Sequence, residues 1–374
     1  MENERGIGIM DVFDGIVING LRIKNRFVRS ATWEGMATDE GAVTPVLTRL
    51  IKALAEGGTG LLIASHAYVR KDGQASFRQL GIYDDALIPG LRGICDAAHG
   101  GAGAPIFAQI NHGGINANET LSGLGLMAPT EMENARGVKA LEMTEEDIAL
   151  WVENFAGAAR RAVSAGFDGV QIHAAHSYGL GQFLSPYYNR RTDRYGGTIE
   201  NRARAFIEVY RAVRGVVGKN YPVAAKINSE DFIDGGLTPP MMVETAAIME
   251  SEGLDAMEMS GGGGPVARYL STRLFDPKTP DEEVYYREAA RLYKERVKKM
   301  PLLLVGGIRS LEVARQLLSD GLADMISLAR PLIREPGLVN RWASGDTARA
   351  ACVSCDGCRK PAGSGEGLRC VLIK

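Results

Sequence analysis

The chain has 374 residues, 45% of them hydrophobic and 24% charged, with a formal net charge of −2. That balance belongs to a folded protein with a sizeable core, and it offers no general attraction for nucleic acid or an anionic membrane. The opening MENERGIGIM has no basic segment followed by a long apolar run, and no apolar run approaches the ~20 residues of a membrane span, so a cytoplasmic protein without a span is expected.

Near the start, GIVINGLRI alternates apolar residues around Asn19-Gly20, which predicts a β-hairpin with a type I′ turn. Eight short apolar runs follow: Phe27–Ser30, Leu61–Ser65, Ile106–Ile110, Val170–His173, Val223–Ile227, Ala256–Ser260, Leu302–Val305 and Met325–Leu328. Amphipathic stretches separate them. The clearest opens at Thr144 with Asp147 three residues on, a capping-box-like start, and places Ile148, Trp151, Val152, Phe155, Ala159 and Val163 on one helix face. A second such stretch starts at Ser310. Unbroken βα alternation predicts an α/β fold, a (β/α)8 TIM barrel with an N-terminal β-hairpin and a Cys-rich C-terminal tail; an open doubly wound sheet is the alternative. The expected division is a barrel over 1–344 and a tail over 345–374. Two connections, Asn111 to Met143 and Gly261 to Glu282, are long enough to be active-site lids. Cys95 stands alone. The other four cysteines crowd into CVSCDGCRKPAGSGEGLRC, which in a reducing compartment favours a metal or cluster over disulfides.

Barrel chemistry sits at the C-terminal ends of the strands. There the chain places Ser30, Ala31, Thr32 and Trp33, then His66, then Gln109 with Asn111 and His112. His173 with His176 and Tyr178, Lys226 with Asn228, Ser260, Gly306-Gly307 and Ala329-Arg330 follow. Five of these eight ends carry a His, Lys or Arg, more than a purely structural barrel needs. Gly306 and Gly307 allow close backbone approach to an anion, Arg330 adds a guanidinium fork, and Ser310 is placed to cap the helix beside them. Together they read as a phosphate site. Lys226 could instead pair with Glu230 or Asp231. His173 and His176 could hold a metal, hold a substrate carbonyl oxygen, or simply pack. No third ligand and no HExxH pattern stands beside them, whereas two donors can hold one oxygen unaided and Tyr178 can supply a proton from the same side.

The segments KNRFVRSA, AQINHGG, IHAAHSYGLGQFLSPYYNRRTDRYGGTIENRAR and ADMISLARPLIREP resemble the Old Yellow Enzyme family of FMN-dependent ene-reductases, over about residues 11 to 340. The resemblance implies a (β/α)8 barrel with FMN at its mouth, and hydride passing from NAD(P)H to flavin N5 and then to the β-carbon of an activated alkene. It implies that Ser30, Ala31, Thr32, His66 and Gln109 contact the isoalloxazine and ribityl, and that Gly306, Gly307, Ala329 and Arg330 hold the FMN phosphate. His173 and His176 would bind the substrate carbonyl, and Tyr178 would protonate the α-carbon. Lys226 stands where the family mostly has Arg near flavin N1 and O2. Trp33 replaces the usual Thr or Cys near flavin O4; its indole N–H would supply that hydrogen bond, or its bulk would narrow the pocket.

The spacing C-x2-C-x2-C-x11-C of Cys352, Cys355, Cys358 and Cys370 is similar to the 4Fe-4S motif of the 2,4-dienoyl-CoA reductase and trimethylamine dehydrogenase branch; zinc is the alternative ligand. Because the chain stops at Lys374, before the further dinucleotide-binding domains of that branch, NAD(P)H itself or a separate electron-transfer partner is expected to reduce the FMN. The expected assembly is a homo-oligomer acting on a small-molecule substrate. The leading reading is an ene-reductase. An amine dehydrogenase of the trimethylamine type, and a zinc-dependent barrel hydrolase built on His173 and His176, are the alternatives.

Overall fold

A computed structural model describes residues 11–101, 103–263 and 276–373. Eight parallel strands close into a barrel: β1 (Phe27–Arg29), β2 (Leu61–Tyr68), β3 (Ile106–Asn111), β4 (Gly169–Ala174), β5 (Val223–Asn228), β6 (Ala256–Ser260), β7 (Leu302–Val305) and β8 (Met325–Leu328). They neighbour one another in chain order, and β8 closes the ring on β1 through Ile326 opposite Phe27. The open doubly wound sheet is therefore excluded. Helices α1 (Pro45–Glu56), α2 (Ile88–His99), α3 (Glu145–Ala165), α4 (Ile199–Val217), α5 (Pro239–Glu252), α6 (Arg287–Arg296) and α7 (Leu311–Ser319) wrap the outside.

The hairpin forms as expected, Ile16–Ile18 against Leu21–Ile23, with Asn19 at φ 43° and Gly20 at φ 81°, the two positive values a type I′ turn requires. It corks the barrel floor. Ile18 and Ile23 pack under Val28, Leu61, Ile63, Phe107, Ala224, Ala256, Leu303 and Met325, the inward residues at the starts of the strands. Gly169 leaves room there for the Phe107 ring, which a Cβ would meet at 2.5 Å.

Thr144 and Asp147 make the reciprocal capping box of α3. Ile148, Trp151, Phe155 and Ala159 are buried, but Val163 is 43% exposed. The buried stripe turns onto Ala158, Ala162 and Ala165, small residues that let this helix lie close to its neighbours. The long connection after β3 carries a small three-stranded sheet, Leu126–Ala128, Lys139–Glu142 and Met132–Glu133, around Ile115, Leu126, Ala140 and Tyr188. Arg191 ties this sheet to the barrel: Nη1 donates to the carbonyls of Pro129 and Met143, while its other nitrogens grip Asp193. Gly196 packs where a Cβ would strike the Arg191 carbonyl. The RTDRYGG segment is thus a structural clasp. Of the second long connection, residues 264–275 lie outside the described residues.

The tail lies on the barrel. Arg309 Nη2 donates to Ser354 Oγ, Arg78 Nη1 to the Gly365 carbonyl, and the Leu368 amide to the Glu34 carbonyl. No described helix is long and apolar enough to cross a membrane.

Candidate active site

Strands alternate, so every second residue points inward. On β5 the inward line is Ala224, Lys226, Asn228; on β6 it is Ala256, Glu258, Ser260; on β4 it is Gly169, Gln171, His173. Each line starts apolar at the floor and becomes polar toward the mouth. Across the middle of the barrel runs one chain of polar contacts. Gln109 Nε2 donates to Gln171 Oε1 at 2.6 Å, and Gln171 Nε2 to Glu258 Oε2 at 3.0 Å. Lys226 Nζ lies 3.3 Å from that same oxygen and donates to Ser30 Oγ at 2.8 Å. The partner of Lys226 is therefore Glu258 on the adjacent strand, not Glu230 or Asp231. Asp231 instead receives the Asn228 side-chain amide and the Leu237 amide.

Above this layer opens a cavity of about 380 Å³. It gathers Ser30, Ala31, Thr32, Trp33, His66, Gln109, His173, His176, Tyr178, Lys226, Gly306, Gly307, Ala329 and Arg330, every flavin and substrate residue expected from the sequence. His173 and His176 ring centres are 5.1 Å apart, His173 and Tyr178 5.2 Å, and His66 stacks on Tyr178 at 5.4 Å. The Ala175 amide donates to His173 Nδ1 at 3.2 Å, so the neutral ring carries its proton on Nε2. Ser260 Oγ sits 2.8 Å from His176 Nε2 and fixes that ring. His176 and Ser177 both adopt φ 57°, a left-handed pair held by Asn228 Oδ1 on the His176 amide and by Asn116 and Gln182 on the Ser177 carbonyl. Such backbone is costly for residues with side chains and persists where surrounding contacts enforce it.

Burial holds His173 and His176 well below the usual histidine pKa, with neighbouring positive groups adding to the effect. Burial, then the Lys226 charge, lowers His66 to about 4. Burial raises the Tyr178 phenol, against the opposing pull of Arg359 and Ser76, so it stays protonated at neutral pH.

At the other end of the cavity Gly306 and Gly307 have φ 124° and 79°, and a Cβ on either would strike Tyr286 or Tyr285. Arg309 and Arg330 line this end. Ser310 occupies the N-cap position of α7 without capping it. Its hydroxyl donates to Glu283 Oε1 at 2.6 Å, and Glu283 Oε2 takes the amides of Arg309 and Ser310. A carboxylate from the preceding loop thus satisfies the helix end, and Arg309 spends its donors on the Ile308 and Cys352 carbonyls and Ser354 Oγ. Of the two roles open to Trp33, the geometry leaves the second: its indole N–H donates to the Phe77 carbonyl at 3.0 Å, so it has no bond for a flavin oxygen. The ring lines the cavity and narrows it.

His112, a strand-end residue in the sequence, is structural: Asp72 Oδ1 meets its Nε2 at 3.1 Å and Trp151 covers its ring. Residues that sequence reasoning missed are Gln171, Glu258, Arg309, Tyr285, Tyr286, Ser76 and Arg359; Ser260 stood among the strand ends without a role. Alternation in AMEMS puts Glu258 and Ser260 on one side, the signal that was available.

The cavity fits FMN. A long slot with guanidinium donors at one end and buried unpartnered polar atoms along it, His66 Nε2 and Ser327 Oγ, suits a planar polar ring with a phosphate tail. A second, small cavity beside it is lined by Cys352, Cys355, Cys358 and Cys370 with Arg330 and Arg334, and Arg334 Nη1 lies 3.5 Å from Cys370 Sγ. Among the described residues no three His, Cys, Asp or Glu side chains stand together closely enough to hold a metal ion as they are placed. That includes His173 and His176, the pair of the hydrolase alternative.

Comparison with known proteins agrees. Residues 11–348 match the NADH:flavin oxidoreductase / NADH oxidase family. The chain is 32% identical to the 4,4'-dithiodibutanoate disulfide reductase of Rhodococcus erythropolis, over 96% of this chain and 94% of that protein. It is 32% identical to the NADH oxidase of Thermoanaerobacter brockii, over 91% of this chain but only 52% of the relative. The solved 2-naphthoyl-CoA reductase complex superposes with a TM-score of 0.88 at 26% identity, covering 96% of this chain and 56% of that one. The chain thus spans nearly all of one relative and about half of the other two. With the closed barrel and its flavin-sized mouth, these matches establish that the chain belongs to the NADH:flavin oxidoreductase / NADH oxidase family, the Old Yellow Enzyme family, and is an FMN-dependent oxidoreductase using NAD(P)H.

Proposed function

We propose that the protein is an ene-reductase, reducing an alkene activated by a carbonyl or similar group. The observation that carries this reading is the convergence of His173, His176 and Tyr178 on one wall of the flavin-sized cavity. Bound FMN would supply hydride to the β-carbon, having taken it from NAD(P)H. Ser30, Ala31, Thr32, His66, Gln109 and Lys226 would hold the ring and ribityl; Gly306, Gly307, Ala329 and Arg330 would hold the phosphate. His173 offers its Nε2 proton to the substrate oxygen, and burial keeps it a neutral donor. His176 makes the second contact from a ring fixed by Ser260. As negative charge develops on that oxygen the two bonds strengthen. Tyr178 gives its phenolic proton to the α-carbon, and Trp33 limits the width of the substrate. The disulfide reductase and the NADH oxidase named above show that relatives act on other acceptors, so the alkene is what the polar wall favours here.

The tail would bind a 4Fe-4S cluster through Cys352, Cys355, Cys358 and Cys370, with zinc as the alternative. The support is that all four line one cavity whose wall shares Arg330, Asp356 and Cys358 with the flavin cavity. Such a cluster would let a one-electron partner serve the barrel.

The test is Tyr178→Phe in stopped flow. Reoxidation of the reduced enzyme by cyclohexenone should slow by about 10²–10⁴-fold, the size of a general-acid contribution. Reduction by NAD(P)H should be unchanged. Equal slowing of both halves would refute the proton-donor role.

A further inference from the structure

Among the described residues lining the flavin cavity, the cations are Lys226, Arg309, Arg330 and Arg359, and the carboxylate is Asp356. Three of the cations have local work. Lys226 meets Glu258, Arg309 is buried against the Cys352 carbonyl and Ser354, and Arg330 stands at the phosphate end. Arg359 differs. It opens the short tail helix Arg359–Gly363, its side chain is half exposed, and its ion pair with Asp356 is a loose one at 3.7 Å. It lines the same cavity as Tyr178, His173 and His176. Ser76, which also lines the cavity, stands beside the same phenol.

We propose that Arg359 is a substrate-binding residue, and that the preferred substrates carry a carboxylate or similar anion remote from the carbonyl held by His173 and His176. The proposal rests on the reading of that histidine pair as the carbonyl site. A guanidinium presents a planar fork suited to a carboxylate, and at a partly desolvated mouth the bond is charge-assisted. Because Arg359 belongs to the tail, the tail helps choose the substrate and is more than a place for a cluster. Trp33 and Leu368 form an apolar stretch between the tail and the cavity, suited to the carbon chain that would join the two polar ends.

The experiment uses the FMN-loaded full chain and saturated keto acids with two to four carbons between ketone and carboxylate, each paired with its methyl ester. Binding is read from the flavin absorption band. A keto acid should bind more tightly than its ester. Arg359→Gln should weaken the best acid by about 10- to 100-fold and its ester by less than about twofold, and Arg359→Lys should recover part of the loss. Metal content, measured on each variant, should stay at the wild-type value. Equal affinity of acid and ester for the wild type, no binding of either, or an equal loss of both in Arg359→Gln would overturn the proposal. Turnover of the corresponding unsaturated methyl ester by the wild type tests the ene-reductase reading separately, so the two can fail independently.

Discussion

Glu258 is the residue whose removal should cost the fold most for its size. It is fully buried, and it holds both Lys226 and Gln171. Glu258→Ala leaves an ammonium buried without its counter-charge and should destabilise by about 3–5 kcal/mol in urea unfolding. Glu258→Gln, which keeps an acceptor for Gln171, should cost less. The neighbouring histidines make a pH prediction. An unfolded His66 takes a proton near the ordinary histidine value of 6.5, and the folded one only near 4, so between these values unfolding absorbs protons. Stability should be full above about pH 6.5 and fall as the pH drops toward 4, by up to roughly 1.4 kcal/mol per pH unit from this one ring. Unfolding midpoints between pH 4.5 and 8 should show a shallower acid slope for His66→Gln than for the wild type. The sequence exposed His66, His173, His176 and Tyr178 because they sit at the ends of readable strands. It hid the Lys226–Glu258 pair because that contact joins residues 32 positions apart through strand register, which local charge spacing does not encode.

Among the elements, the eight strands were legible as short continuous apolar runs, since strands buried on both faces read that way, and the hairpin through its Asn-Gly turn, a local signal. The capping box of α3 was legible for the same reason. The cap of α7 was not, since Glu283 comes from 27 residues upstream of Ser310 and replaces a local cap with a tertiary one. Nor was the seat of Trp33. Its ring packs against Cys358, Ala362 and Leu368, making it the joint between the loop after β1 and the tail. Trp33→Ala should therefore loosen the tail while the barrel persists. Limited trypsin digestion should cut after Arg359 faster than in the wild type, with a stability loss at or below the roughly 3–5 kcal/mol of a fully buried tryptophan. Unchanged cleavage there would show that the tail is held by its hydrogen bonds to Arg309 and Arg78 instead.

At the scale of the molecule, the two cavities share a wall, and the cluster proposed for the smaller one would give electrons a route to the larger. Anaerobic preparation should give a brown protein with about four irons and four sulfides per chain, from four thiolate ligands. One zinc without acid-labile sulfide would make the tail a structural knuckle and remove the case for a one-electron partner. The opposite end of the barrel carries a different consequence. There Ile18 and Ile23 of the hairpin pack against the inward residues of the strand starts, and Ala31 is the flavin residue that borders them. Substitutions separated by the depth of a barrel combine additively, whereas those sharing the mouth do not. A lineage of variants selected for a new acceptor would lose stability through changes around Trp33 and the histidines. Better-packed side chains under the floor could restore it without altering what the mouth accepts. The cork is thus the place from which this catalyst can be made robust enough to tolerate being remade.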